Sequence, residues 1–113
     1  MPNIEKVREI QSKVMKDIAA GAIIPIMMIG DELGLFEKLY EVGPCSSKDF
    51  AKKTEMDHRY LREWLLALSA AGYVSYDSKT EFFSLSDEQY SVLGDENSPS
   101  LMIGGFENLV GAV

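Results

Sequence analysis

The stretch DHRYLREWLLALSAAGYVSY, residues 57–76, decides the fold of this chain. Asp57 is a favourable N-cap, with its carboxylate at the positive end of the helix that would follow. Gly72 is placed to end that helix, and the β-rich run 73–76 comes next. Between these signals, apolar residues recur at the spacings of one helix face: Leu61, Trp64, Leu65, Leu68 and Ala71. The stretch predicts a helix that leads directly into a strand, with Trp64 as a core anchor.

Elements on both sides complete a winged helix-turn-helix. Upstream, Ser46 with Asp49 predicts the start of a helix of two turns, which ends in a turn at residues 54–56. Downstream, two β-rich runs flank a polar turn at residues 77–80, which is a hairpin signal. Ser86 then caps a short helix. The order helix, tight turn, helix, hairpin is that of a winged helix-turn-helix, so the fold class is predicted as mostly α with a small β-hairpin wing.

Residues 3–17 predict an amphipathic helix at the N-terminus. Asn3 is a good N-cap, and the charged residues of the segment occupy the solvent side of the helix. The apolar residues recur at spacings of three and four: Ile4, Val7, Ile10, Val14 and Ile18. We expect this apolar face to be buried.

Residues 18–29 differ, because their apolar side chains cover every side of a helix. Such a helix must be buried on all sides, and a chain of 113 residues has little material to surround it. We therefore favour burial between two chains over a central core helix. Pro25 is expected to kink or restart the helix, and Gly30 and Gly34 to mark its break. The residues expected in a dimer interface are Ile23, Ile24, Met27 and Met28, although core packing accounts equally well for the two methionines.

Two further helices are predicted. Residues 35–42 carry apolar positions at helical spacing, and Gly43-Pro44 stops them. Near the other end, Ser98-Pro99 predicts a helix start, and an apolar pattern continues to Val110. Because a natural domain seldom ends on an exposed apolar helix, we expect this segment to lead into a further domain or to dock on a partner.

Composition argues against a nucleic-acid partner and against a membrane. The net charge is −7 and the 11 Lys and Arg residues are scattered among acids, so a phosphate backbone is repelled. A spanning helix needs about 20 apolar residues, more than the longest apolar run, residues 18–29, supplies. One cysteine and the lack of a signal-peptide pattern lead us to expect a cytoplasmic protein.

Few residues offer chemistry. His58 is the only histidine and Cys45 the only cysteine, so we predict neither a metal centre nor a thiolate nucleophile. No glycine-rich loop follows a predicted strand, so no cofactor cradle is expected in this chain. The outward residues of helix 57–71 include Arg59 and Arg62, which leaves a DNA-binding transcription regulator as an alternative. A bare oligomerisation module is a third possibility.

Four blocks together carry a family resemblance. They are IGDELGLFEKL at 29–39, DHRYLREWL at 57–65, AAGYV at 70–74 and DENSP at 95–99. In order and spacing they resemble the N-terminal winged-helix domain of class I S-adenosylmethionine-dependent methyltransferases, small-molecule O-methyltransferases among them. This resemblance implies a front domain that forms a homodimer and helps to roof the cavity of a small-molecule substrate.

The resemblance also implies a division of labour. It places the cofactor, S-adenosylmethionine, in a following Rossmann-like domain that this sequence lacks, so the chain is expected not to be catalytic by itself. Its own organisation is then residues 1–43 for dimerisation, 44–94 for the winged helix-turn-helix and 95–113 as a helix toward the catalytic domain. Residues expected at the mouth of the substrate cavity are Gly104, Gly105 and Phe106.

Overall fold

The computed structural model describes residues 1–102. In this part the chain forms α1 (Ile4–Glu32), α2 (Leu35–Val42), α3 (Ser47–Thr54), α4 (His58–Ala70), β1 (Ser75–Asp77), β2 (Phe82–Ser84) and α5 (Asp87–Leu93). The α3–α4 pair is the helix-turn-helix, and β1 with β2 is the wing. The prediction of a mostly α winged helix-turn-helix is confirmed.

Local capping explains where the helices begin and end. The side chains of four N-cap residues accept backbone N–H groups of the first helical turn, as the sequence predicted: Asn3, Ser46, Asp57 and Ser86. After α3, Glu55 adopts a left-handed conformation with φ 57° and makes the tight turn to α4. Gly72, with φ 88°, does the same after α4. The short elements are therefore fixed mainly by local side-chain chemistry.

The wing is a two-stranded antiparallel hairpin in which Tyr76 lies opposite Phe83. Its strands have three residues each and are shorter than the two β-rich runs of the sequence. Cys45 pairs with Phe83 in both directions, with N···O distances of 3.0 and 2.7 Å. This bridge ties the wing to the segment between α2 and α3. The Cys45 side chain is 5% exposed, and burial raises the pKa of its thiol, with Lys53 opposing the shift and Asp49 adding to it.

α1 is one helix of 29 residues and continues through Pro25. Of the two alternatives expected at Pro25, the restart is therefore wrong and the kink stays a prediction, whereas the expected break near Gly34 is confirmed. A proline inside a helix leaves the carbonyl four residues earlier without its N–H donor. Here that carbonyl belongs to Gly21, and both residues are exposed, so water can replace the missing donor.

The N-terminal part of α1 lies in solvent. Every residue from 1 to 22 is exposed, so the apolar face of residues 3–17 is not buried by the described part of this chain, and its burial against a second copy stays a prediction. We call this face the α1 stripe; its large apolar side chains are 39% to 71% exposed: Ile4, Val7, Ile10, Val14, Met15 and Ile18. No single helix in residues 1–102 is long and apolar enough to cross a membrane, while α1 and α2, bent by 71°, pass that test only as a pair.

The other end of α1 is anchored on α4 by Trp64. The buried indole N–H donates a hydrogen bond to the Ile26 carbonyl at 3.0 Å. Gly30 lies against the same ring, because a Cβ at Gly30 would stand 2.5 Å from Cζ2 of Trp64. The Phe36 ring covers the contact, with its centroid 5.2 Å from that of Trp64. Trp64 is 4% exposed, which confirms it as a core anchor.

Met27, near the same end of α1, lies in the core. It is 2% exposed and packs within its own chain, which corrects its assignment to a dimer interface. Ile23 is half-buried and also packs against that core, while Ile24 and Met28 are half-buried. The apolar segment 18–29 is thus divided between the monomer core and the surface.

α5 is attached to α2 by two tyrosines. The rings of Tyr40 and Tyr90 stack with centroids 3.9 Å apart, and the Tyr40 hydroxyl donates to Asp87 at 2.7 Å. This hydrogen bond raises the pKa of Tyr40. The pairing holds α5 against α2.

The segment after α5 does not begin the helix expected at Ser98. The Ser98 hydroxyl accepts the Ser100 N–H at 3.1 Å, and the Met102 N–H donates to the Val92 carbonyl at 2.9 Å. These bonds turn the chain back along α5. The part of the predicted helix beyond Met102 lies outside the described residues.

The close approach at Gly30 predicts that Gly30→Ala lowers the free energy of unfolding by about 1–3 kcal/mol, since the added methyl group overlaps the Trp64 indole. Gly21→Ala is the matched control in the same helix, where a Cβ meets nothing within 4 Å; it is expected to stabilise by about 0.5–1 kcal/mol. Urea unfolding followed by circular dichroism measures both. Equal stability of the two variants would contradict the contact.

The burial of Cys45 predicts a protected thiol. In the folded chain at neutral pH it is expected to react with a chromogenic aromatic disulfide at least about tenfold more slowly than an accessible thiol, because the thiolate is disfavoured and the sulfur is covered. The same chain in urea provides the reference rate. Rapid stoichiometric reaction of the folded protein is the result that would overturn this placement.

Candidate functional site

A cleft of about 260 Å³ opens between the start of α3, the exposed face of α4 and the wing. We call it the wing cleft. Its polar lining includes Lys48, His58, Arg62, Thr80 and Glu81. Its apolar lining consists of Leu66, Tyr76 and Phe83. The cleft therefore combines charged groups with an apolar wall.

Contacts between the three elements fix the shape of the wing cleft. Ser47 Oγ lies 3.0 Å from Nε2 of His58, which joins the first turns of α3 and α4. The rings of Tyr76 and Phe83 pack at a centroid distance of 4.8 Å. In the turn of the wing, the Glu81 N–H donates to Asp77 O at 2.7 Å, and Glu81 holds a left-handed φ of 61°. The walls are therefore defined by local geometry.

The charges in the wing cleft run against those of the whole chain. Lys48 and Arg62 face one carboxylate, Glu81, whereas the chain as a whole carries −7. Within residues 1–102 the only ion pair closer than 4 Å joins Lys13 and Asp17. Neither cation of the cleft therefore has a carboxylate partner at that distance in the described part. The result is a locally positive cleft on an acidic protein.

A second concave surface of about 250 Å³ lies between the end of α1 and α4. We call it the apolar groove. Six residues line it: Ile26, Ile29, Tyr60, Glu63, Trp64 and Ala67. Ile29 and Tyr60 are 36% and 43% exposed. The groove thus continues the apolar surface of α1 onto α4.

The predicted interface residues do not line this groove. Ile23, Ile24 and Met28 keep partial exposure, whereas Met27 is in the core. Helix periodicity could not distinguish core residues from surface residues in this segment, because every side of residues 18–29 is apolar. The residues predicted for the substrate-cavity mouth, Gly104 to Phe106, lie outside the described residues.

The outward α4 residues that left DNA reading open do not share one surface, and Arg59 lines neither the wing cleft nor the apolar groove. His58 and Arg62 line the wing cleft, and Glu63 lines the apolar groove. Sequence reasoning missed Lys48 and Thr80, which come from the neighbouring helix and the wing. Their only sequence signal was position: the second residue of α3 and the tip of a hairpin approach α4 in a winged helix-turn-helix.

The described residues fit neither a metal ion nor S-adenosylmethionine. Across residues 1–102 no group of three His, Cys, Asp or Glu side chains comes together as ligands. In the same part, β1 and β2 are joined as an antiparallel hairpin, and β2 leads to α5 through Leu85 and Ser86. A glycine-rich turn between a parallel strand and a helix, the usual cradle of such cofactors, is not formed by these residues.

Three solved structures share this fold. PigF with SAH has a TM-score of 0.72 and 15% identity, over 88% of this chain and 28% of that chain. The mitomycin 7-O-methyltransferase MmcR has a TM-score of 0.69 and 25% identity, over 91% and 30%. RosA from Streptomyces davawensis, N,N-8-amino-8-demethyl-D-riboflavin dimethyltransferase, has a TM-score of 0.58 and 22% identity, over 93% and 28%.

This chain spans less than a third of each of those proteins and matches their N-terminal regions. No curated protein sequence matches it. A family model described as "Rv2258c-like winged HTH domain" matches residues 20–94. That range runs from the middle of α1 to the end of α5 and contains the whole helix-turn-helix and wing. The chain belongs to the Rv2258c-like winged HTH domain family.

Proposed function

We propose that this chain is the dimerisation and substrate-lid domain of a cytoplasmic S-adenosylmethionine-dependent methyltransferase that acts on a small molecule. Methyl transfer itself takes place on a separate catalytic domain, and the chain is not a DNA reader. The observation that carries the proposal is the exposed α1 stripe on a domain similar to the N-terminal regions of methyltransferases.

The α1 stripe supports the dimer. An isolated helix in water is marginal below about 12–15 residues and gains most of its stability from packing of an apolar face. Here the face from Ile4 to Ile18 has no cover from residues 1–102 of its own chain. Each large apolar side chain that a partner fully buries contributes about 1.5–3 kcal/mol. A second copy that packs its α1 against this stripe supplies the missing cover.

Charge supports a dimer in which α1 of each copy also contacts the body of the other. Residues 1–17 carry four Lys or Arg against three acids, whereas residues 18–113 carry seven against fifteen. The N-terminal part of α1 is therefore slightly positive and the rest of the chain strongly negative. Opposite charge favours contact between α1 of one copy and the body of another, and the apolar groove beside Trp64 is a contact surface at the base of α1.

The lid part of the proposal rests on the side of the domain to which Met102, the last described residue, is attached. Met102 is held on α5 through the Val92 carbonyl. Next to it, an apolar cleft of about 290 Å³ is lined by Tyr73, Val92 and Leu93, together with two polar residues of α5. We propose that this side faces the catalytic domain, with Gly104 to Phe106 at the mouth of the substrate cavity. MmcR and RosA, by name, act on small molecules.

The proposed division of labour predicts that the chain alone does not bind the cofactor product. Titration with S-adenosylhomocysteine in a calorimeter is expected to give no saturable heat, because the described residues form no cradle for it. The control is the same titration into a methyltransferase with a complete catalytic domain. Saturable binding to the 113-residue chain would contradict the proposal.

The proposed dimer predicts that Ile10→Asp produces a monomer. The substitution places a charge in the centre of the α1 stripe, where it would be buried unpaired in the dimer. Light scattering coupled to size exclusion is expected to give twice the chain mass of 12.6 kDa for the unmodified protein and one chain mass for the variant.

Ser12→Asp is the matched control, since it adds the same charge on the opposite side of the same exposed helix turn. It is expected to remain a dimer. A monomeric unmodified chain, or equal dissociation of both variants, counts against α1 as the interface.

A further inference from the structure

We propose that the wing cleft binds a small organic anion: one carboxylate attached to a flat apolar group. This inference does not depend on the proposed function, because it concerns a different face of the domain from α1 and the apolar groove. Nothing in the methyltransferase proposal requires a ligand between α4 and the wing.

The charge of the cleft selects an anion. Lys48 and Arg62 lie on two different helices and line one cavity, and neither has a carboxylate within 4 Å in residues 1–102. Two cations that share a cavity repel each other unless an anion lies between them. Arg62 can also hold a carboxylate through two parallel N–H donors. The single opposing carboxylate, Glu81, leaves the lining with a net positive charge.

The apolar wall selects the rest of the ligand. Leu66 and Tyr76 are 37% and 46% exposed and line the same cavity as the two cations. Phe83 lies behind them and is 4% exposed. A flat apolar group against these side chains removes apolar surface from water, while its carboxylate stays beside Arg62. The Thr80 hydroxyl, which accepts the Phe82 N–H at 3.3 Å, also lines the cleft and keeps its own O–H as a donor for the carboxylate.

The size of the cleft separates this ligand from DNA. A volume of about 260 Å³ suits a molecule of the size of a benzoate or a slightly larger acid. A duplex instead needs a broad positive face that neutralises several phosphates. The wing supplies Asp77 and Glu81 beside Lys79, so its tip does not provide that face.

The test is a titration of the 15N-labelled chain with benzoate, followed by amide chemical shifts. Saturable shifts are expected at residues 46–48, 62 and 80–81, with a dissociation constant of about 1 mM or tighter. Benzamide has the same shape without the charge. We expect it to bind at least about tenfold more weakly than benzoate. Equal binding of the two probes would overturn the role of the cations.

Three variants locate the site. Arg62→Gln is expected to weaken benzoate binding about tenfold, and Arg59→Gln, on the same helix but outside the cleft, to change it by less than about twofold. Glu81→Gln removes the opposing carboxylate and is expected to tighten binding by about twofold to fivefold. A gain in affinity cannot arise from partial unfolding, so this variant keeps the test decisive.

Two results would reject the proposal. The first is the absence of saturable shifts with benzoate in a chain whose spectrum is that of a folded protein. The second is binding of a short DNA duplex through Arg59 and Arg62 alike with no response to benzoate, which would assign this face to nucleic acid.

Discussion

The contact between the Trp64 indole and α1 is the constraint on which the rest of the structure depends. A buried indole needs an acceptor for its N–H, and the Ile26 carbonyl is the acceptor here. The ring can come that close only because Gly30, one turn further along α1, has no side chain. These two requirements leave one short stretch of α1 that can lie against α4. They fix the position of α1 along its own axis. As a consequence, the first five turns of α1 project from the domain.

The fixed position of α1 explains why one helix has two different environments. From Ile23 onward, α1 supplies apolar side chains to a core that α2, α3, α4 and the wing also share. Before that point the same helix is exposed and is not covered by other residues of the described range 1–102, yet it keeps apolar residues at regular helical spacing. A stripe left in water contributes nothing to the stability of the monomer. The proposed dimer would account for its regularity, because a second copy would bury the stripe.

Elements defined by local chemistry could be predicted from the sequence, and elements defined by packing could not. Ser46, Asp57 and Ser86 act within one helical turn of themselves, so residue type and spacing are enough to predict their caps. Gly30 instead resembles a helix break in sequence, because its actual role depends on Trp64, which lies 34 residues away. Pro25 suggests a helix restart in sequence. The sequence does not reveal that the carbonyl left without an N–H donor is open to water. The wing cleft escapes prediction for the same reason, since its cations come from two helices.

The attachment of the wing determines how the helix-turn-helix can bind a ligand. Cys45 and Phe83 exchange two backbone hydrogen bonds, which hold the hairpin against the start of α3. A hairpin fastened there encloses Arg62 from one side and brings Glu81 to the edge of the same space. The positive charge of α4 is therefore presented beside an apolar wall, in a cavity whose lining also contains the wing carboxylate Glu81. The proposed small acid would meet Lys48 and Arg62 inside this cleft, whereas a phosphate backbone would need several cations on an outer face of the domain.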